Sequence, residues 1–152
     1  MTWRELWLFL HISGAIVWIG GATLAQVLGV LAQRSRDPAR TAALGRDMAF
    51  VGPKVFLPAS LLVLLTGIAL TRNEGWDWTE PFIVFGLVGW AAVAFTAFVY
   101  ITRTMGALGA RMATAGPSPE LIGQMNRVVL VARVLVLVLF VIVFMMVVKL
   151  GT

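Results

Sequence analysis

The chain has no cysteine, and only one histidine and one tyrosine among its 152 residues. The missing cysteine excludes disulfides, thiolate metal sites, iron–sulfur clusters and a cysteine nucleophile. Charge is also scarce. Asp, Glu, Lys and Arg make up 12% of the chain, against about 25% in an ordinary soluble domain. Hydrophobic residues make up 60%, and mean hydropathy is +0.93. A soluble fold of this size cannot hide so much apolar surface, so a membrane protein is the leading class. One span takes about 20 apolar residues, so four would use roughly 80 positions and leave little for a separate soluble domain. No Asp or Glu falls inside an apolar run, which argues against a carboxylate-driven proton pump or an acid-coupled transporter. A Gly-rich phosphate loop, a two-histidine zinc motif and a spaced nucleophile–base pair are absent too. No catalytic motif is therefore present, and the chain leans away from being an enzyme.

The apolar runs lie at about residues 6–32, 54–71, 81–102 and 128–148, within a single membrane domain over 1–152. The first is interrupted only by His11, Ser13, Thr23 and Gln26. It is too long for a signal-peptide core and lacks a small-residue cleavage site, so it reads as a retained helix. Asp37 followed by Pro38 is an N-cap and first-turn pair for a second helix. That helix carries Arg40, Arg46 and Asp47 in its first half, and Gly52-Pro53 and Pro58 are expected to kink or break it. Thr79 or Glu80, then Pro81, starts a third helix that runs past Arg103 to about Ala115. Gly116-Pro117-Ser118-Pro119 is the clearest break, with Ser118 capping the fourth helix. A helix of about 35 residues is roughly 52 Å long, against about 30 Å of hydrocarbon. The expected fold is all-α: a polytopic bundle of four transmembrane helices that extend on the cytoplasmic side.

The net charge of +5 concerns orientation, not nucleic acid, because the basic residues lie between the spans. Arg34, Arg36, Arg40, Arg46, Lys54, Arg103, Arg111, Arg127 and Arg133 fall on one side; Arg4, Arg72 and Lys149 fall on the other. The positive-inside rule then puts both termini outside and the long helix ends in the cytoplasm.

His11 is the candidate site residue. Small residues follow it along one helical stripe, so it points into the bundle and not at lipid. An ionisable group inside a membrane is a functional hypothesis by default. Imidazole can bind haem iron, copper or zinc, or relay a proton; the alternative is a neutral His hydrogen-bonded to a Ser or Thr of a neighbouring helix. Met145 and Met146 fall at about the depth of His11, and thioether plus imidazole suits Cu(I) or a His/Met-ligated haem. Methionine is also a common core filler, and only one of two adjacent residues can face the core. Arg133 is five residues inside the last span, within snorkelling reach of the interface, or else a clamp for an anion or a haem propionate. Glu74, Asp77 and Glu80 are a weak cation signal, and Trp3, Trp7, Trp76 and Trp78 are interface anchors.

The pattern Leu8-x-x-His11-x-x-Gly14-x-x-x-Trp18-x-Gly20-Gly21, then Leu65-Thr66-Gly67-Ile68, Arg133 and the ending Phe144-Met145-Met146-Val147-Val148-Lys149, resembles the bacterial integral membrane proteins of domain-of-unknown-function family 2269. The resemblance covers nearly the whole chain and implies a bacterial inner (plasma) membrane location. The first span is also similar to that of HemJ-type protoporphyrinogen oxidases, where a first-span His takes part in haem binding, and of CopD-type copper-resistance membrane domains. Only His11 carries over to either. Arg133 is a loose counterpart of the later-span basic residue of the HemJ type, and the further His or Met sites of the CopD type have no second His here. The resemblance implies haem b as cofactor, with His11 and Arg133 binding it, or copper on His11 with Met145 or Met146. If the protein is an enzyme, it implies a haem-dependent oxidoreductase. A single His makes bis-His ligation a matter for a homodimer. The third expectation is an accessory subunit of a larger membrane complex, held by the small-residue face of span 1. The expected partners are the lipid bilayer and a second copy or complex, with no nucleic acid.

Overall fold

Capping chemistry divides the chain. Thr2 accepts the Glu5 backbone N–H while the Glu5 carboxylate accepts the Thr2 N–H. Asp37 accepts from the Ala39 N–H at 2.9 Å, and Ser118 from the Leu121 N–H at 3.2 Å. These side chains satisfy the orphan donors of a first turn. Glu80 precedes Pro81 without a side-chain cap. The result, in a computed structural model that describes residues 2–149, is four long helices: α1 Trp3–Ser35, α2 Pro38–Glu74, α3 Pro81–Ala115 and α4 Pro119–Val148. All four are long and apolar enough to cross a membrane. Among the described residues there is no strand. Gly75 ends α2 at φ +70°, a left-handed position that suits glycine.

The Gly52-Pro53 step does not break α2. The helix widens there into a π turn over Gly52–Phe56. Proline has no N–H to give the preceding turn, and a wider turn absorbs the mismatch without ending the helix. Two more π turns, Ile16–Gly20 in α1 and Thr96–Ile101 in α3, contain no proline. All three sit at neighbouring heights in the bundle and touch through the middle one.

Glycines set the helix crossings. A Cβ on Gly14 would stand 3.2 Å from the Ala59 carbonyl oxygen, which brings α1 close to α2. A Cβ on Gly45 would stand 2.8 Å from the Met105 carbonyl oxygen, and one on Gly109 3.0 Å from that of Ala42, which brings α2 close to α3. Gly86 and Gly89 receive Met146 and Ile142 of α4. Gly29 receives Val129, joining α1 to α4. The small residues of span 1 are therefore used inside the bundle.

The same contacts fix relative heights. Phe56 abuts Gly21, Thr102 abuts Gly52, and Val129 abuts Gly29. Lys54, Arg103 and Arg133 then fall within about one helical turn of each other, near the height of Ala25. All three are exposed. From Arg4 to Ala25 the rise along α1 is about 31 Å, matching a hydrocarbon core of about 30 Å. Beyond this basic level the four helices continue as a head with its own core, centred on Met105, Leu108, Met112, Met125, Val128 and Val129. The membrane half has a smaller core of Trp18, Ala59, Val93 and Leu139. Side chains such as Leu65, Val88, Phe95 and Leu137 are more than half exposed there and face the lipid.

Candidate functional site

His11 lies on α1 against α2, with its Nδ1 3.0 Å from Thr66 Oγ1. Thr66 is buried, and its hydroxyl also lies 2.5 Å from the Leu62 carbonyl oxygen and 3.2 Å from that of Val63. A hydroxyl has one proton to donate. The short contact to its own helix takes that proton, so Thr66 Oγ1 accepts from His11 Nδ1–H. In a neutral imidazole that is the Nδ1–H tautomer, with the lone pair on Nε2. Gly67 makes room for the ring: a Cβ there would stand 3.3 Å from His11 Cε1 and 3.6 Å from Nδ1. Thr66-Gly67 is thus both the hydrogen-bond acceptor and the floor beneath the histidine. The Ser or Thr partner of the alternative, structural reading is present; the same contact would also orient the ring of a ligating histidine.

The other candidates lie elsewhere. Met146 is near the height of His11, but its Cε occupies the hollow at Gly86 on α3. Met145 is half-buried beside it. Arg133 is exposed at the basic level, about 20 Å of axial rise from His11. Within one chain, His11 is therefore brought together with Thr66 and Gly67, and not with Met146 or Arg133. Among the described residues no group of three His, Asp or Glu side chains is close enough to share a metal ion. Glu74 pairs with Arg4, and Asp77 caps Thr79 in the 75–80 turn. That leaves Glu80 as the N-cap of α3.

A second feature carries no motif. A cavity of about 90 Å³ opens at the junction of all four helices, walled by Trp18, Gln26, Phe56, Phe98, Thr102 and Leu139 among others. Gln26 Oε1 is buried and has no hydrogen-bond partner among the described residues. The sequence marks Gln26 only as a polar interruption of the first span; its isolation depends on helix packing.

A family model described as "Predicted integral membrane protein (DUF2269)" matches residues 5–150. No curated protein and no solved structure matches the chain.

Proposed function

For a chain that belongs to the DUF2269 family of predicted integral membrane proteins, we propose a ligand-binding role in the bilayer, with His11 Nε2 as the donor. The observation that carries this reading is the His11–Thr66 hydrogen bond. It fixes the tautomer and leaves Nε2 as a directed lone pair inside a membrane, where an ionisable side chain is costly to keep. Haem b is the group this donor would suit first, with His11 holding it, and copper the second. The donor set fits haem in part. One imidazole is ready, but Met146 is engaged at Gly86 and Arg133 is about 20 Å away along the axis. The remaining ligands would come from a second copy or from water. Bound haem would supply one-electron chemistry; His11 would hold it, and Thr66 would keep the ring oriented. The basic end faces the cytoplasm of a bacterial cell in this reading, with both termini outside.

The test is an absorption spectrum, oxidised and reduced, of the gently purified protein, with metal analysis on the same sample. A Soret band that disappears in His11→Ala supports haem. Copper that disappears in the same variant supports the copper form. Colourless, metal-free protein, unchanged after haem supplementation, overturns both. Orientation is testable separately because the chain has no cysteine: Ser35→Cys should be shielded from an impermeant thiol reagent in intact cells, and Asn73→Cys should react.

A second reading, the accessory subunit, is favoured by a different observation. Leu24, Val27, Leu28 and Leu31 of α1 are exposed, and the last three extend this apolar stripe past the basic level. Beyond the hydrocarbon such a stripe favours a protein partner. This reading expects co-purification with a larger complex, lost on Leu28→Glu and Leu31→Glu and indifferent to His11→Ala.

A further inference from the structure

An open groove of about 360 Å³ runs along the lipid-facing seam between α1 and α2. Buried Gly14 and Ala59 form its floor, and neither brings a bulky side chain. Val17 of α1 and Val55 of α2, 47% and 41% exposed, form its sides. Lys54 stands at one end, and Ser13 and Leu62 at the other. Lys54 belongs to the basic level, and from there to Leu62 the rise along α2 is about 12 Å. Half of the hydrocarbon core is about 15 Å. The groove therefore occupies one leaflet, from its head-group edge almost to the midplane.

The lining suits an acyl chain. Ser13 brings its one hydroxyl, and such a group can return its proton to the preceding turn of its helix, as Thr23, Ser60 and Thr66 do. The volume lies within the range of about 300–1,000 Å³ for small-ligand sites. Charge marks the mouth. The Lys54 ammonium is 4.4 Å from the centre of the Phe50 ring, one turn nearer the head. The ring draws it out of the hydrocarbon, toward the depth of lipid phosphates. Among the described residues Lys54 has no ion pair and no hydrogen bond. Apolar contact alone selects nothing here, because an acyl chain meets valine and neighbouring lipid tails on equal terms. Selection has to come from the head group. A net negative phosphate complements Lys54; a zwitterionic head group carries its own cation and complements it less.

We propose that this groove holds one chain of an anionic diacyl phospholipid from the leaflet at the basic end, with the head-group phosphate on Lys54 and the second chain left in the bilayer. The groove sets the place and Lys54 sets the identity. The site includes neither His11 nor the apolar stripe of Leu28 and Leu31, so it stands or falls independently of both readings above.

The probes are phosphatidylglycerol and phosphatidylcholine with the same two chains, one of them carrying a diazirine near its end. Each is placed at the same low mole fraction in unlabelled phosphatidylcholine vesicles holding the full chain. Photolysis and peptide mass spectrometry then read the labelled positions. In wild type the glycerol lipid should label residues 13–17 and 55–62 about five-fold more than the choline lipid, the weight of one cation beside an anionic leaflet. Unlabelled phosphatidylglycerol should displace it. Lys54→Gln should remove the preference and Lys54→Arg should keep it. Raised salt should weaken it, because the mouth is exposed. Val17→Phe narrows the groove from its exposed side and should lower labelling there by both lipids. Labelling at Leu137 on α4, which is 60% exposed, should not change. Equal labelling by the two lipids in wild type overturns the proposal, and so does a preference that survives Lys54→Gln. Labelling spread evenly over the groove, Leu65 and Leu137 also overturns it, and would leave the seam to bulk lipid.

Discussion

At the basic end, α2, α3 and α4 bury Met105, Met112, Met125, Leu108 and Leu121 around a glycine-mediated crossing, and Ala32 of α1 closes the cluster. At the terminal end the one buried cluster among the described residues is Trp18, Ala59, Val93 and Leu139, with Phe82, Ile83, Ala94 and Val136 buried outside it. The helices turn Phe9, Leu65, Phe95 and Phe144 outward. The difference follows from solvent. Helix length beyond the hydrocarbon thickness carries the head into water, where a fully buried Leu or Met is worth about 1.5–3 kcal/mol. The membrane half has lipid tails as neighbours, and burying a Leu there gains little over leaving it outside. What joins those helices is close approach at Gly14, Gly86 and Gly89, with interhelical hydrogen bonds such as His11–Thr66 and Trp90 Nε1–H to the Ser60 carbonyl at 3.0 Å. One chain thus uses two kinds of cohesion, divided near Lys54, Arg103 and Arg133.

The sharpest way to break this comparison is to remove similar apolar volume on either side of it. Met125 is 1% exposed in the head core, and Leu65 is 63% exposed in the membrane half. Met125→Ala should cost about 2–5 kcal/mol, as large-to-small core changes do. Leu65→Ala should change stability by less than about 0.5 kcal/mol. Unfolding in detergent by denaturant measures both. Equal losses would show that the head is not a water-facing core.

A smaller effect separates two glycines of the head. A Cβ on Gly109 meets backbone atoms of α2, Ala42 O at 3.0 Å and Arg46 N at 3.1 Å, and backbone does not yield as a side-chain tip does. Gly109→Ala should destabilise by about 1–3 kcal/mol through overpacking. Gly123 lies on the exposed face of α4, and a Cβ added there would meet nothing within 4 Å. Gly123→Ala should stabilise by about 0.5–1 kcal/mol, from reduced backbone entropy in the unfolded chain. The two melting shifts should have opposite signs.

Much of this division is legible in the sequence. Hydropathy gives the four spans, and Asp37-Pro38, Pro81 and Ser118-Pro119 give their starts, because a cap is a local rule. The excess helix length at the basic end follows from counting residues against bilayer thickness. Pairing between helices is not local. Nothing in Leu65-Thr66-Gly67 says that His11 will rest on it, and nothing near Met146 says that Gly86 will receive its terminal methyl. Gly52-Pro53 is visible as a disturbance, but sequence rules read it as a kink or break where the helix makes a π turn. The π turns at Ile16–Gly20 and Thr96–Ile101 carry no proline, so they and the cavity they surround with Gln26 had no sequence signal beyond one polar residue in an apolar run.

The polar side of the comparison is tested at Thr66. Thr66→Val keeps the shape and removes the acceptor for His11 Nδ1–H. The cost should be about 0.6 kcal/mol, and at most about 1.7, the range for interhelical hydrogen bonds in membranes. Imidazole ¹⁵N shifts should then lose their preference for the Nδ1–H tautomer. The contrast at the other end is the exposed bond from Gln33 Nε2 to Asn126 Oδ1, 3.0 Å long. Gln33→Ala should cost no more than about 0.5 kcal/mol, because water replaces the bond. If Gln33→Ala proved the more damaging, hydrogen bonding would not be what distinguishes the membrane half.

The smallest effect lies outside both cores, in the turn between α2 and α3. Asp77 Oδ1 accepts the Thr79 backbone N–H at 2.9 Å and the Thr79 hydroxyl at 2.8 Å. These bonds favour the charged form and hold the Asp77 carboxyl below its ordinary range. A depressed folded value means that the unfolded chain takes up the proton first as pH falls. The stabilisation is therefore complete above the ordinary value of about 3.9 and is lost as pH drops through the folded value. The group is fully exposed, so solvent screening keeps the effect local. Fluorescence of Trp76 and Trp78, which flank Asp77, should shift below about pH 4. The shift should be absent in Asp77→Asn, and the melting of the head should not change between the two proteins. A head that loosened along the same pH profile in wild type alone would mean that the turn and the distant core unfold as one unit, and the division at the basic level would not be a boundary in stability.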